Sequence, residues 1–283
     1  MKKKQNKAEI LANVKIKGRY YKITFTSGVI AQSALPGQFV MLKVGEIADV
    51  FLRRPLSVHR VSGRNLDFFY EVVGKGTEIL SRRPAGESVD LLGPLGNGFD
   101  YSAERIVNRQ PVLVAGGMGI APLFFLAEKL ADSKKLSVCA AGASLPGRQA
   151  GASGGKRYPL VLIGARTKDQ IFCEKQFKKI GCDVKIATDD GSAGFPGRVT
   201  SLLDKLLLTM NYQLLTIYGC GPKPMLKEIA RLSRQKRIPC QLSLEAHMAC
   251  GIGACLGCAV NTQNGYKRVC QEGPVFDADE LLW

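Results

Sequence analysis

Four cysteines near the C-terminus stand in the order C-x4-C-x2-C-x11-C: Cys250, Cys255, Cys258 and Cys270. Four thiols confined to 21 residues are an oxidation hazard unless a metal holds them, so this part of the chain must fold as a wrapping for one. The spacing is that of plant-type [2Fe–2S] ligands. Between the first three ligands, Gly251-Ile252-Gly253-Ala254 and Leu256-Gly257 are almost free of bulky side chains. Small residues let backbone N–H groups approach the cluster sulfurs and help set a potential, for which plant-type centres give about −400 mV as a reference. Such a chain carries one electron at a time, to or from a carrier as reducing as reduced nicotinamide or flavin. The alternative metal, a four-cysteine zinc site, comes as paired C-x2-4-C knuckles, and only Cys255/Cys258 has that form. Disulfides suit the chain less, because nine cysteines is an odd number and no secretory signal is present.

At 283 residues with 46% hydrophobic content the chain has room for two domains plus a small appendage. The stretch Met1-Lys2-Lys3-Lys4-Gln5-Asn6-Lys7 reads as a solvated tail. The most apolar stretch, residues 111–127, is broken by Gly116, Gly117, Gly119 and Pro122, which suits a buried strand, turn and helix and not a membrane span. The expectation is a soluble, cytoplasmic protein with no membrane partner. Net charge is +16, yet the basic residues are spread along the chain without a nucleic-acid motif. They imply a solvated basic surface, or a field that attracts an anionic dinucleotide or an acidic protein.

The first hundred residues form short β-rich runs at 12–16, 20–26, 38–44, 56–61, 67–73 and 88–92, separated by turn residues such as Pro36-Gly37 and Gly63. They predict a small antiparallel barrel. After Gly93-Pro94-Leu95-Gly96-Asn97-Gly98 the style changes. Strands at 111–115, 136–140, 160–163, 184–187 and 213–218 alternate with helices at 121–131, 199–206 and 224–234, the pattern of a doubly wound α/β sheet. Residues 142–156 are small, polar and Gly-rich and read as a surface loop. The expected division is 1–103 barrel, 104–238 nucleotide-binding α/β domain, and 239–283 a small C-terminal cluster subdomain attached to the sheet domain.

Arg54-Pro55-Leu56-Ser57 follows the third barrel run, and Gly74-Lys75-Gly76-Thr77 follows the fifth. A guanidinium can hold phosphate oxygens by two charge-assisted hydrogen bonds, and the glycine turn before a helix adds N–H groups to an anion site. The strand at 111–115 runs into Gly116-Gly117-Met118-Gly119-Ile120-Ala121-Pro122, the strand–turn–helix of a dinucleotide site with proline in place of the third glycine. Tyr218-Gly219-Cys220-Gly221-Pro222-Lys223-Pro224-Met225 ends another strand, where an open sheet places its ligand crevice. Cys139, Cys173, Cys182 and Cys240 are isolated and read as structural, and His59 and His247, without a partner pattern for catalysis, read as packing or surface residues.

These segments, with Thr188-Asp189-Asp190-Gly191-Ser192, occur in one order with Met248-Ala249-Cys250-Gly251-Ile252-Gly253-Ala254-Cys255 and Cys270-Gln271-Glu272-Gly273-Pro274-Val275-Phe276. Over nearly its whole length the chain resembles the electron-transfer subunits of NAD-dependent dihydroorotate dehydrogenases, within the ferredoxin reductase superfamily. The resemblance implies FAD held by Arg54, Pro55, Leu56 and Ser57, then Phe69, Tyr70 and Glu71, then Gly76 and Thr77. It implies NAD as co-substrate at Gly116, Gly117 and Gly119 and at Cys220, Gly221 and Pro222, with the four cysteines on a [2Fe–2S] cluster. Leu56 stands where the superfamily often has tyrosine, and Glu71 where the family often has arginine.

The three redox groups make chemical sense together, since nicotinamide exchanges a hydride, the cluster one electron, and flavin can do both. The resemblance further implies a partner, an FMN-containing catalytic subunit that oxidises dihydroorotate for pyrimidine biosynthesis, in a heterotetramer of two plus two. An alternative within the superfamily is an NAD(P)H-dependent reductase subunit serving another acceptor such as ferredoxin or sulfide. NAD and NADP both stay open, although Asp189 and Asp190 near a ribose would repel a 2′-phosphate.

Overall fold

A computed structural model describes residues 4–45, 50–132 and 158–283. The chain divides into two compact units, one running to Gly98 and taking in Leu244–Val275 and Leu282, the other comprising Phe99–Ser243, Phe276–Leu281 and Trp283.

The first unit is built on β1 (Lys4–Lys17), β2 (Tyr20–Thr26), β3 (Phe39–Lys43), β4 (Arg54–Ser62), β5 (Asn65–Glu71) and β6 (Ser88–Leu95), with short helices α1 (Gly28–Ala31) and α2 (Lys75–Ser81). The strands close into an antiparallel barrel in the order β1-β2-β5-β4-β3-β6. Closure leaves no strand edge, and alternate side chains such as Ile10, Ile23, Phe25, Phe68 and Leu91 fill the interior. All six expected strands are present. The expected N-terminal tail is corrected from Lys4 onward: Lys4 to Glu9 pair with β6, Lys4 opposite Gly93 and Glu9 opposite Ser88. Charge misled here because a barrel strand needs only one apolar face. Ala8 and Ile10 point inward while Lys7 and Glu9 face water.

The second unit contains α3 (Ala103–Ile106), β7 (Gln110–Gly116), α4 (Ile120–Asp132), β8 (Leu160–Ala165), α5 (Glu174–Lys179), β9 (Asp183–Thr188), β10 (Phe195–Pro196), α6 (Val199–Thr209), β11 (Leu215–Cys220), α7 (Lys223–Lys236) and β12 (Cys240–Ser243). The pairs from β10 through β12 are parallel. Strands β7 and β11 are buried along their whole length, as expected where helices cover both faces of a parallel sheet. The expected strand at 136–140 and loop at 142–156 lie outside the described residues. Among the described residues no helix is long and apolar enough to cross a membrane.

After β12 the chain forms the cysteine segment with its hairpin β13 (Ala259–Thr262) and β14 (Gly265–Arg268), then returns to the sheet as β15 (Val275–Asp277). The sheet order is β10-β9-β8-β7-β11-β12-β15. A fork from Arg105 holds Asp277 through two bonds of 2.8 Å each. The cysteine segment groups with the barrel's unit and not with the sheet's. Asn97 supplies the reason: its N–H donates to the Gly273 carbonyl at 2.5 Å and its Nδ2 to the Glu272 carbonyl at 2.9 Å.

Asn13 on β1 ties the far end of α2 to the barrel. Its Nδ2 donates to the carbonyls of Leu80 (2.8 Å) and Arg83 (3.0 Å), and its Oδ1 accepts from the buried Tyr70 hydroxyl at 3.0 Å. Asn13→Ala should lower stability by roughly 2–3 kcal/mol, because it strands the Tyr70 hydroxyl and takes a donor from the Arg83 carbonyl, while the Leu80 carbonyl keeps only the Arg83 N–H. Urea unfolding followed by far-UV circular dichroism checks this, and an unchanged midpoint would refute it.

Candidate functional site

In the barrel's unit, the two expected flavin segments meet. Arg54 begins β4, and its Nη1 donates to the Leu52 carbonyl, which fixes the guanidinium close to its own strand. That guanidinium lies directly against Gly76 in the first turn of α2: a Cβ at Gly76 would overlap Nε and stand 2.8 Å from both Cζ and Nη2. A side chain at Gly76 would push the guanidinium off this turn, so the glycine lets the arginine lie flat against it, with a cation on one wall. Thr77 orders the approach, its Oγ1 accepting from the N–H of Val73 (3.0 Å) and Gly74 (3.3 Å) and donating to the Gly74 carbonyl (3.0 Å). Pro55 and Ser57 are partly accessible beside it, whereas Leu56 is buried.

Strands β4 and β5 are antiparallel neighbours with Val58 opposite Phe68, so Phe69, Tyr70 and Glu71 lie at the same end of the pair as Arg54–Ser57. Phe69 is buried beside His59, ring centroids 6.1 Å apart, which gives that histidine a packing role. Tyr70 is buried and stacked on Tyr21 at 5.6 Å, and burial raises its hydroxyl pKa. Glu71 is paired with Arg19, Nε to Oε1 2.5 Å, a charge contact without hydrogen-bond alignment. Arg19 thus balances the carboxylate that stands where the family often has a cation.

In the sheet's unit, the two nicotinamide segments also converge. Parallel pairing sets Cys220 beside Ala115, so both segments leave the sheet at the C-terminal ends of neighbouring strands. The chain order reverses between β7 and β11, and a crevice at such a point is the ligand position of open α/β sheets. At Gly119 the approach is backbone on backbone: a Cβ would collide with the Cys220 carbonyl and come within 2.7 Å of the Gly221 nitrogen. Met225 closes the same corner, its Sδ 2.6 Å from where a Cβ on Gly116 would lie and its Cε 2.5 Å from the same point on Gly221. Gly117 is in the left-handed region at φ 53° and has open space around it, and Pro222 is exposed. At the end of β9, Asp190 accepts from the Ser192 N–H (3.0 Å) and hydroxyl (2.6 Å), which hold its carboxyl below the usual range.

The ligand segment belongs to the barrel's unit. Gly251, at φ 68°, sits against Met41 of β3; a Cβ there would be 2.5 Å from Met41 Cγ. The Ile252 N–H donates to Cys250 Sγ at 3.5 Å, and the Cys270 N–H to Cys258 Sγ at 3.4 Å. Partial burial opposes ionisation of Cys250, but N–H groups of Ile252, Cys255 and Ala254 and the Cys255 thiol bring it down to about 6. Burial, reinforced by Cys258, pushes Cys270 up to about 12. Metal binding takes such a proton, since the ligand is the thiolate. Soft sulfur donors with N–H groups aimed at them fit an iron–sulfur group. Among the described residues no three His, Cys, Asp or Glu side chains gather as a single metal ion would need. Cys182 and Cys240, pushed up to about 12 by burial, have the character of inert structural thiols.

Sequence reading gave no role to Met41, Asn97, Arg268 or Glu272. An Arg and a Glu four apart bracketing the last cysteine were a visible signal; the first two were not, because nothing local marks them.

Comparison with known proteins bears directly on these features. Residues 245–282 match the family model described as the iron-sulfur cluster binding domain of dihydroorotate dehydrogenase B, and residues 113–231 match the oxidoreductase NAD-binding domain. The protein named dihydroorotate dehydrogenase B (NAD(+)), electron transfer subunit, of Desulforamulus reducens is 39% identical, covering 98% of this chain and 97% of the relative. The one of the same name from Geobacillus thermodenitrificans is 38% identical over 93% of each. A solved chain of NADH-dependent reduced ferredoxin-NADP oxidoreductase is 30% identical with a TM-score of 0.79, covering 98% of this chain and 90% of that one. All four cysteines fall within the cluster model, and the two named relatives each align over 93% or more of both chains. The chain therefore belongs to the electron transfer subunits of dihydroorotate dehydrogenase B.

Proposed function

We propose that the chain carries electrons from the FMN of a dihydroorotate-oxidising catalytic subunit through a [2Fe–2S] cluster and FAD to NAD+, in a heterotetramer of two copies of each subunit. The observation that carries the reading is the pairing of motifs with units: flavin segments and cluster ligands share one unit, and both nicotinamide segments meet at the reversal point of the other. When bound, FAD supplies the junction between two-electron exchange with nicotinamide and one-electron exchange with the cluster.

The chain's own residues do the holding. Arg54 grips the flavin pyrophosphate against Gly76, Thr77 fixes the 73–77 turn, Pro55 and Ser57 offer the accessible face of β4 to the flavin, and Leu56 supports that strand from the buried side. Phe69 and Tyr70 position β5, and the Arg19–Glu71 pair presents a balanced charge. Gly116, Gly117 and Gly119 with Cys220, Gly221 and Pro222 admit the dinucleotide to the crevice. Cys250, Cys255, Cys258 and Cys270 ligate the cluster. Residues 1–103, 104–238 and 239–283 thereby serve as flavin, NAD and cluster parts. Ile252 and Leu256, 42% and 62% exposed in the ligand loop, offer an apolar face to the catalytic subunit. A reducing, cytoplasmic setting suits thiolate ligands.

Co-expression with an FMN-containing dihydroorotate dehydrogenase tests the whole. Dihydroorotate should reduce NAD+ only when both proteins are present, and the same reaction by this chain alone would sink the two-subunit reading. Two substitutions test the sites. Arg54→Ala removes charge-assisted bonds of ~1.5–3 kcal/mol each, so FAD affinity measured by flavin fluorescence should fall by roughly tenfold or more. Gly119→Ala forces the turn away from β11, so the KM for NADH with an artificial acceptor should rise while bound FAD stays constant; an unchanged KM would contradict the crevice assignment.

A further inference from the structure

Arg268 and Glu272 stand two residues to either side of Cys270 and close a tight loop around it. The Arg268 carbonyl accepts from the N–H groups of Gln271 (3.0 Å), Glu272 (2.9 Å) and Gly273 (3.3 Å). Glu272 Oε2 accepts from the Arg268 backbone N–H at 2.7 Å and from Nε at 3.1 Å, while Arg268 Nη2 donates to Oε1. The remaining arm reaches outside the loop: Nη1 donates to the Gly253 carbonyl at 2.8 Å, between the first two cysteines. From Glu272 the bonding continues to the barrel, because its carbonyl accepts from Asn97 Nδ2. One guanidinium thus joins the loop of the fourth cysteine to the loop of the first three. A planar fork can bond in both directions at once; an ammonium cannot keep the same geometry.

We propose that the Arg268–Glu272 pair is the positioning element of the cluster, its fork locking the two ligand loops together and its opposed charges setting how readily the cluster takes an electron. The inference rests on the [2Fe–2S] reading above. Reduction adds one negative charge to a group already ligated by four thiolates, so a neighbouring cation favours the reduced form and a neighbouring anion opposes it. The fork holds the two opposed charges against each other, one two residues before Cys270 and the other two residues after it. The two side chains are 34% and 31% exposed, so solvent screens but does not abolish these fields. As a pair they nearly cancel, and removing one leaves the other's charge unbalanced beside the sulfurs.

The test is a redox titration of the anaerobically purified full chain, followed by the electron paramagnetic resonance signal of the reduced cluster. Wild-type protein should hold about two iron and two labile sulfide per chain; failure at that step overturns the cluster reading itself, before any variant is compared. Arg268→Gln should then lower the midpoint potential and Glu272→Gln should raise it. Arg268→Lys keeps the charge and loses the fork, so its potential should stay near wild type while a chelator strips its iron severalfold faster. Shifts of the same sign in the two neutral variants, or no shift in either, overturn the electrostatic role, and unchanged iron loss in Arg268→Lys overturns the locking role. If Arg268→Gln retains no cluster, Glu272→Gln decides the sign alone, and a potential that fails to rise refutes the proposal.

Discussion

The seating of the cysteine loop on the barrel is the contact on which the chain's redox design depends. It is made by a glycine backbone lying on Met41 and by Asn97 holding the carbonyls of Glu272 and Gly273. Neither contact is large, yet together they tie the cysteine segment into the same compact unit as Arg54 and Gly76. One-electron transfer falls steeply with separation, so the two groups that exchange single electrons gain most from a shared frame. The loop between the first cysteines is short of side chains, and it is held from two sides, by Met41 of the barrel wall and by the Arg268 fork on the Gly253 carbonyl.

The nicotinamide side follows a different logic. A hydride donor or acceptor must come and go with every turnover, and the site proposed for it is made of backbone at a reversal in strand order, where fixed N–H groups need no rearrangement to receive an anion. Gly119 meets Cys220 backbone to backbone, and Met225 fills the corner behind both turns. Methionine suits that position because its unbranched, polarizable side chain conforms to an irregular gap. The fork from Arg105 to Asp277 performs a similar service at the edge of this sheet, holding the returning strand β15.

Much of this was legible in the sequence because local patterns and tertiary demands agree. The six barrel strands announced themselves by alternation and turn residues, and the buried strands β7 and β11 by short, largely apolar runs leading into glycine turns. The four cysteines were legible by spacing alone. What stayed hidden were the long-range contacts. Nothing near Asn97 says that it will hold residues 175 positions away, and nothing near Asn13 says that it will cap α2. Lys4 to Lys7 were misread because a strand with one dry face can carry charge on its other face. The placement of the cysteine segment with the barrel followed from these distant bonds, which periodicity cannot express.

The route of the chain around that segment has its own consequence. The polypeptide leaves the sheet at the end of β12 and re-enters it as β15, and these two strands are immediate neighbours. The whole cysteine segment, which lies within the match to the iron-sulfur cluster binding domain, is therefore spliced between two adjacent strands of the sheet. In evolutionary terms this is a cassette: a reductase without it would need only a short link in its place, and one that acquired it would gain a one-electron outlet without redrawing the sheet.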